Sequence, residues 1–289
     1  MKINLLLLLS LCAFQAHALH ILTSIKPIQM IAHELVLEED STSSLLPVSA
    51  SPHDYALKPS DIVAMHNSDL IIWFGHDLEG FLTKPISNLE YVLTLSDSEH
   101  LTLRAFGKSC GCGKSHGSYD PHIWLGPQQA REVAQSITER LIEMDKKNQT
   151  RYQLRLEAFN RELSETVFDI STRLEPIRDK GYFVFHDAYG YFEEHFELNN
   201  LGYFTVDPER KSGAKKLNSI RTTLLEKNVQ CVFSEPQFTP SVIKSTTKGT
   251  STQIGRLDPL GTDIEVHDGS YFSLLDSITD GLTECFSDR

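Results

Sequence analysis

Short apolar runs alternate along the chain with segments that have the spacing of amphipathic helices. Four runs rich in β-branched and aromatic residues predict strands, and each is followed by a turn and a helical segment: residues 20–24, 69–74, 182–185 and 229–233. Strands that alternate with helices are typical of a parallel sheet with helices on its faces. The pattern therefore predicts an α/β fold.

Two consecutive helical patterns occupy the middle of the chain. Residues 127–145 begin with Pro127 and place apolar side chains at helical spacing from Ala130 to Met144. Residues 147–175 continue with a helical pattern that contains no Gly or Pro. At 1.5 Å per residue this second helix would be about 43 Å long, which is more than one lobe needs. We therefore predict a rigid connecting helix at 147–178.

Near the C-terminus the apolar positions again follow a helix, and one of them is a cysteine. Leu275, Ile278, Leu282 and Cys285 fall on one helical face, while Cys231 lies in a predicted strand of the same half. In an exported protein these cysteines either form a disulfide or remain as two buried thiols. Mass spectrometry with and without reductant distinguishes the two cases.

The first residues have the order of a secretory signal peptide. Lys2 is followed by an apolar stretch and by Ala16-His17-Ala18, which predicts cleavage after residue 18 and export to the periplasm. A lipoprotein anchor at Cys12 is the weaker alternative, because the preceding Leu11 is larger than such sites prefer. The apolar stretch is too short to span a bilayer, and no later segment is long enough, so we expect no direct membrane insertion.

Length and charge restrict the partners and the number of domains. The chain has 289 residues, 39 acidic against 27 basic, and a formal net charge of −12. This acidity argues against nucleic acid and anionic lipid as partners. A chain of this length exceeds the usual size of a single core. We predict an N-terminal α/β lobe at 19–146 and a C-terminal α/β lobe at 179–289.

Three histidines are the strongest candidates for chemistry, because they sit at strand ends or beside turn-forming residues. His186 directly follows a predicted strand, and ligands of open α/β sheets bind beyond the carboxyl ends of the strands. His53 and His122 lie in proline-containing turns. Three neutral imidazoles would suit a borderline metal ion such as zinc. Asp258, before Pro259, is a candidate fourth ligand or simply a turn residue.

Other catalytic signatures are incomplete. His33-Glu34 is followed by Leu37 where a zinc-protease helix requires a second histidine. The chain has no nucleophile elbow and no glycine-rich dinucleotide fingerprint.

A second cluster of metal-ligand types lies in the stretch SCGCGKSHGSYDPH at residues 109–122. Cys110, Cys112 and His116 form an accessory metal site when reduced, or they belong to a glycine-rich linker whose cysteines are oxidised. A second zinc equivalent in reduced protein that is lost in the Cys110→Ser, Cys112→Ser variant would identify the accessory site.

Five segments carry a resemblance to a known family, and together they cover about residues 20–289: SPHDYALKPSD at 51–61, HIWL at 122–125, GYFVFHDAYGYF at 181–192, CVFSEPQF at 231–238 and LDPLG at 257–261. The run around His186 is the most specific of them. The chain resembles the periplasmic substrate-binding proteins of high-affinity zinc-uptake ABC transporters. Two features depart from that family: Pro52 replaces a glutamate before the first ligand histidine, and the loop before His122 is short.

The resemblance implies a fold and a ligand set. Two α/β lobes, each with a mainly parallel sheet flanked by helices, would be joined by one long helix, with the metal in the cleft between them. His53, His122 and His186 would bind Zn²⁺, with water or Asp258 as the fourth ligand. Cys231 and Cys285 would form the disulfide of the family.

The implied function is that of a monomeric, non-enzymatic protein, which carries zinc as its transported ligand to the membrane permease of an ABC transporter. A manganese-binding protein of the same family is the nearest alternative. Two alternatives are weaker. A zinc metallohydrolase would show chelator-sensitive turnover of ester or peptide substrates. An adhesion protein on the same fold would bind host or matrix partners independently of metal.

Overall fold

The computed structural model describes residues 18–105, 119–206, 208, 212–239 and 241–287. The predicted signal peptide, apart from Ala18, lies outside these residues, and so do Cys110, Cys112 and His116. Among the described helices, none is both long and apolar enough to cross a membrane.

The first lobe is built on a parallel sheet in the order β2-β1-β3-β4. Its central strands consist of residues that are nearly all buried, because helices cover both faces of the sheet. The strands are β1 (His20–Thr23), β2 (Ser41–Ser44), β3 (Leu70–Trp73) and β4 (Val92–Thr94). The helices of this half are α1 (Lys26–Leu35), α2 (Pro59–His66), α3 (Thr83–Ile86) and α4 (Pro127–Met144).

The second lobe repeats this arrangement with a parallel sheet in the order β6-β5-β7-β8. The central strand β5 is buried at every position. The strands are β5 (Tyr182–His186), β6 (Asn200–Thr205), β7 (Cys231–Ser234) and β8 (Gln253–Arg256). The helices are α6 (Gly190–Phe196), α7 (Ala214–Glu226), α8 (Ser241–Thr247) and α9 (Ser270–Ser287). The predicted architecture of two parallel-sheet lobes is confirmed.

One long helix, α5 (Gln149–Leu174), runs between the lobes and has 26 residues, or about 39 Å. It packs against α4 and α1 on one side and against α9 on the other. Phe159 is buried against the rings of Tyr271 and Phe272 in α9, at centroid distances of 5.7 and 5.4 Å. The last helix of the chain therefore shares a core with helices of the first lobe, and the boundaries at 19–146 and 179–289 stay predictions.

A disulfide between Cys231 and Cys285 joins β7 to α9, with the two Cα atoms 6.1 Å apart. Both residues are buried, and Leu275, Ile278 and Leu282 are buried on the same face of α9 as Cys285. The predicted bridge is confirmed. It fastens the second sheet to the helix that packs on the first lobe.

Candidate metal centre

Three histidine rings meet between the lobes. His53 lies in the loop that precedes α2, His122 stands before a short 3-10 turn at Ile123–Leu125, and His186 is the last residue of β5. The ring centroids are 5.1 to 5.8 Å apart. One nitrogen from each ring lies within 4.8 Å of the others. Three residues far apart in sequence thus bring ligand atoms to one point.

The spacing of two of these nitrogens matches a tetrahedral ion. His122 Nε2 and His186 Nε2 are 3.2 Å apart. Zinc–nitrogen bonds of about 2.0–2.1 Å at a tetrahedral angle place two ligand nitrogens about 3.3 Å apart. The pair is therefore arranged as two neighbouring ligands of one zinc ion.

A buried carboxylate orients each of these two rings. Asp120 Oδ1 lies 2.7 Å from His122 Nδ1, and Glu235 Oε1 lies 2.8 Å from His186 Nδ1. A carboxylate only accepts, so the proton of each ring is on Nδ1 and the Nε2 lone pair faces the cluster. A carboxylate behind a histidine fixes the tautomer and raises the basicity of a metal ligand.

Asp120, the residue behind His122, is held from both lobes. Asp120 also accepts the backbone N–H of His122 at 3.0 Å, which closes a tight local turn. Its other oxygen, Oδ2, lies 3.0 Å from Arg104 Nη1, and Arg104 also pairs with Glu194 of α6. The hydroxyl of Tyr191, in the same helix, donates to the Asp120 carbonyl at 2.8 Å. The position of His122 is therefore coupled to the second lobe.

His53 differs from the other two histidines because its Nε2 is buried and has no hydrogen-bond partner among the described residues. Burial, and then the neighbouring His122 and His186, hold the pKa of His53 well below its usual value of 6.5. The ring is therefore neutral at neutral pH and keeps a free lone pair. An unpaired buried acceptor costs about 1–3 kcal/mol, a cost that metal binding removes.

At His186 two effects on the pKa oppose each other. Burial lowers the pKa of the imidazole, whereas the Glu235 carboxylate raises it, and the net shift is upward. Because a metal ion binds only the unprotonated Nε2, the raised pKa makes zinc compete with a second proton on His186 as the pH falls.

The cavity beside the histidines is small. Its volume is about 10 Å³, which is close to the space that one water molecule occupies. Besides the three histidines it is lined by Ser51, Pro52, Trp124, Glu235, Gln237, Phe238, Pro259 and Leu260. Such a cavity accommodates an ion with one small ligand.

Asp258, the candidate fourth ligand, does not belong to this cluster of described ligand atoms. Its Oδ1 accepts hydrogen bonds from Gln237 Nε2 at 2.7 Å and from the Leu260 amide at 3.1 Å. Its Oδ2 accepts one from the Thr262 amide at 2.7 Å. Both oxygens are thus engaged in the loop before Ile264, so the aspartate caps a turn in this structure.

Sequence reasoning did not assign roles to Asp120, Glu235 or Gln237. A signal existed for Glu235, because it directly follows β7, the strand that pairs in parallel with β5, which ends at His186. Parallel neighbours end at the same edge of a sheet, so the two side chains are brought together. Asp120 stands two residues before His122, the spacing of an Asx turn.

Replacing Glu235 by glutamine is expected to weaken zinc binding about tenfold, because the carboxylate that polarises His186 becomes a neutral amide. The dissociation constant is measured by competition with a chelating indicator. The matched control is Glu139→Gln, which changes a carboxylate paired at 2.8 Å with the exposed His100. Equal affinities for the two variants would show that Glu235 does not act on the metal.

Comparisons with known proteins agree with this geometry. The family model described as "Zinc-uptake complex component A periplasmic" matches residues 21–285. The high-affinity zinc uptake system protein ZnuA of Yersinia pestis is 40% identical over an alignment of 287 positions, which covers 92% of this chain and 90% of that protein. The ZnuA protein of Haemophilus ducreyi is 38% identical, covering 92% and 93%.

A solved structure extends the similarity to the whole fold. The AdcAII protein of Streptococcus pneumoniae superposes with a TM-score of 0.79 at 26% identity, covering 92% of this chain and 98% of that one. The family match spans both lobes and all three histidines. This chain belongs to the zinc-uptake complex component A periplasmic family.

Proposed function

We propose that this protein is a periplasmic solute-binding protein that captures Zn²⁺ between its lobes and delivers it to the membrane permease of an ABC transporter. The observation that carries the proposal is the convergence of three imidazole nitrogens, two of them backed by buried carboxylates. His53, His122 and His186 bind the ion, and a water molecule completes the tetrahedron.

The place of action follows from the family and from the start of the chain. The matching family is described as periplasmic, and residues 1–18 have the order of a signal peptide. We propose that these residues direct export and that the mature protein works as a monomer with the permease.

The donor set favours zinc over manganese. All three converging atoms are imidazole nitrogens, which bind zinc more strongly than manganese, whereas manganese prefers carboxylate and carbonyl oxygens. The nearby Asp258 carboxylate is occupied by three hydrogen bonds, two from amides of its own loop and one from Gln237. An oxygen-rich site for manganese would need that carboxylate to leave its partners.

The size of the cavity supports transport over hydrolysis. Three histidines and a water molecule also make a catalytic zinc site, so the donor set alone does not separate the two functions. Sites for organic substrates enclose about 300–1,000 Å³, whereas this cavity measures about 10 Å³. The site therefore fits an ion as its cargo.

A competition titration tests the metal preference. Metal-free protein is mixed with one equivalent of Zn²⁺ and about a hundredfold excess of Mn²⁺, and occupancy is determined by native mass spectrometry. We expect a single zinc adduct, because nitrogen donors favour zinc strongly. A manganese adduct at equal concentrations of both metals would contradict the assignment to zinc.

A further inference from the structure

Gln237 lies at the wall of the histidine cavity, two residues after Glu235. Its Nε2 donates hydrogen bonds to Asp258 Oδ1 at 2.7 Å and to Thr262 Oγ1 at 3.0 Å. A flipped amide would bring two oxygens, Oε1 and Asp258 Oδ1, to hydrogen-bond distance without a proton between them. The network therefore fixes which end of the amide is the acceptor.

The oxygen end of this amide is buried and has no hydrogen-bond partner among the described residues. A buried carbonyl oxygen that accepts no hydrogen bond is destabilising, because it has lost its contact with water. Of the groups that line the cavity, His122 and His186 direct their ring protons to carboxylates, so neither ring donates to Gln237 Oε1. With no donor among the described residues, this oxygen is free to accept a hydrogen bond from a molecule in the cavity that Gln237 lines.

The loop at residues 258–262, which accepts the hydrogen bonds of Gln237, is anchored to the first lobe. Lys26 Nζ of α1 donates to the carbonyls of Gly261 at 2.9 Å and Thr262 at 3.2 Å. Trp124 Nε1 donates to the Pro259 carbonyl at 2.7 Å, and the Trp124 ring lines the same cavity. Asp258 and Thr262 are thereby fixed on both sides, so the amide has little freedom to turn away.

We propose that Gln237 Oε1 accepts a hydrogen bond from the water molecule that is the fourth ligand of the zinc ion. Asp258 then acts on the ion only through Gln237, as the group that orients the amide. This inference rests on the proposed zinc site. It assigns Gln237 a positioning role, and it gives Asp258 a place in zinc binding without a bond to the metal.

The test compares Gln237→Leu, Asp258→Asn and the double variant, with Gln128→Leu as the control for the same substitution on the exposed surface of α4. For each protein the stoichiometry and dissociation constant of Zn²⁺ are measured, together with the melting temperature of the metal-free form. The d–d absorption bands of the cobalt(II)-loaded proteins report on the ligand field, which a purely structural role of Gln237 would leave unchanged.

We expect Gln237→Leu to bind one zinc ion roughly 10–100-fold more weakly, which is the size of a lost hydrogen bond to a charged group. Its cobalt bands shift, whereas those of Gln128→Leu do not. Because Asp258 acts through Gln237, the double variant is expected to bind no more weakly than Gln237→Leu alone.

Three outcomes would overturn the inference while leaving the zinc site in place. They are an unchanged affinity in Gln237→Leu, a loss of affinity that only accompanies a lower melting temperature of the metal-free protein, and additive losses in the double variant. If the losses of zinc affinity add up in the double variant, and Asp258→Asn causes the larger of the two, Asp258 is a direct ligand of the ion. Failure of the unaltered protein to bind one zinc ion would instead contradict the proposed function.

Discussion

Replacement of His186 by alanine is expected to weaken zinc binding by roughly 10²–10⁴-fold. Protein zinc sites contribute about 10–16 kcal/mol, and an equal share among three histidines is about 3–5 kcal/mol for each. His186 is buried, and its Nε2 lies 3.2 Å from His122 Nε2. No other described side chain offers a nitrogen at this position, so the remaining ligands cannot replace it. The dissociation constant is measured by competition with a chelator.

Two further variants complete this experiment. His186→Ala leaves Glu235 buried without its partner and therefore carries a risk to folding, which the melting temperature detects. His53→Ala avoids that risk, because the His53 ring nitrogen Nε2 has no partner to lose, and it is expected to weaken zinc binding comparably. His66→Ala, at the exposed end of α2, is the matched control. Retention of affinity in both site variants would contradict the ligand assignment.

Removal of the disulfide is expected to lower the free energy of unfolding by about 4 kcal/mol. The bond joins residues separated by 54 positions, and opening such a loop increases the entropy of the unfolded chain. The variant Cys231→Ala, Cys285→Ala is compared with the unaltered protein by urea denaturation. Because the bridge is remote from the cavity lining, zinc stoichiometry of the folded variant is expected to stay at one.

Cys110→Ser, Cys112→Ser is the matched control for the disulfide, since it removes two cysteines that are not part of this bond. Its denaturation midpoint is expected to equal that of the unaltered protein. A Cys231→Ala, Cys285→Ala variant with an unchanged midpoint would show that the bridge does not stabilise the fold.

The strands that the sequence pattern predicted are the central ones. β1, β3, β5 and β7 occupy the inner positions of the two sheets, where both faces are covered and the residues form continuous apolar runs. The edge strands gave no such signal. β2 has the sequence STSS and β8 has QIGR, because an edge strand needs fewer apolar side chains. Pairing with a central strand, not local propensity, makes these segments extended.

The candidate site was predictable in part. Strand ends, proline-containing turns and the family resemblance pointed to His53, His122 and His186, and the structure brings these residues together. Their role as ligands stays a prediction. The partners Asp120 and Glu235 left weaker signals, a spacing of two residues from His122 and a position at the end of the strand beside β5, respectively. Asp258 likewise has the position of a ligand in sequence, but its oxygens accept hydrogen bonds from its own loop and from Gln237.

X-ray absorption at the zinc K edge tests the central claim most directly. The protein is loaded with one equivalent of Zn²⁺, so that the strongest site alone is filled. We expect three imidazole nitrogens and one oxygen, with zinc–nitrogen distances of about 2.0–2.1 Å. Sulfur at about 2.3 Å, or fewer than three imidazoles, would contradict it. Either result would move the principal zinc site away from His53, His122 and His186.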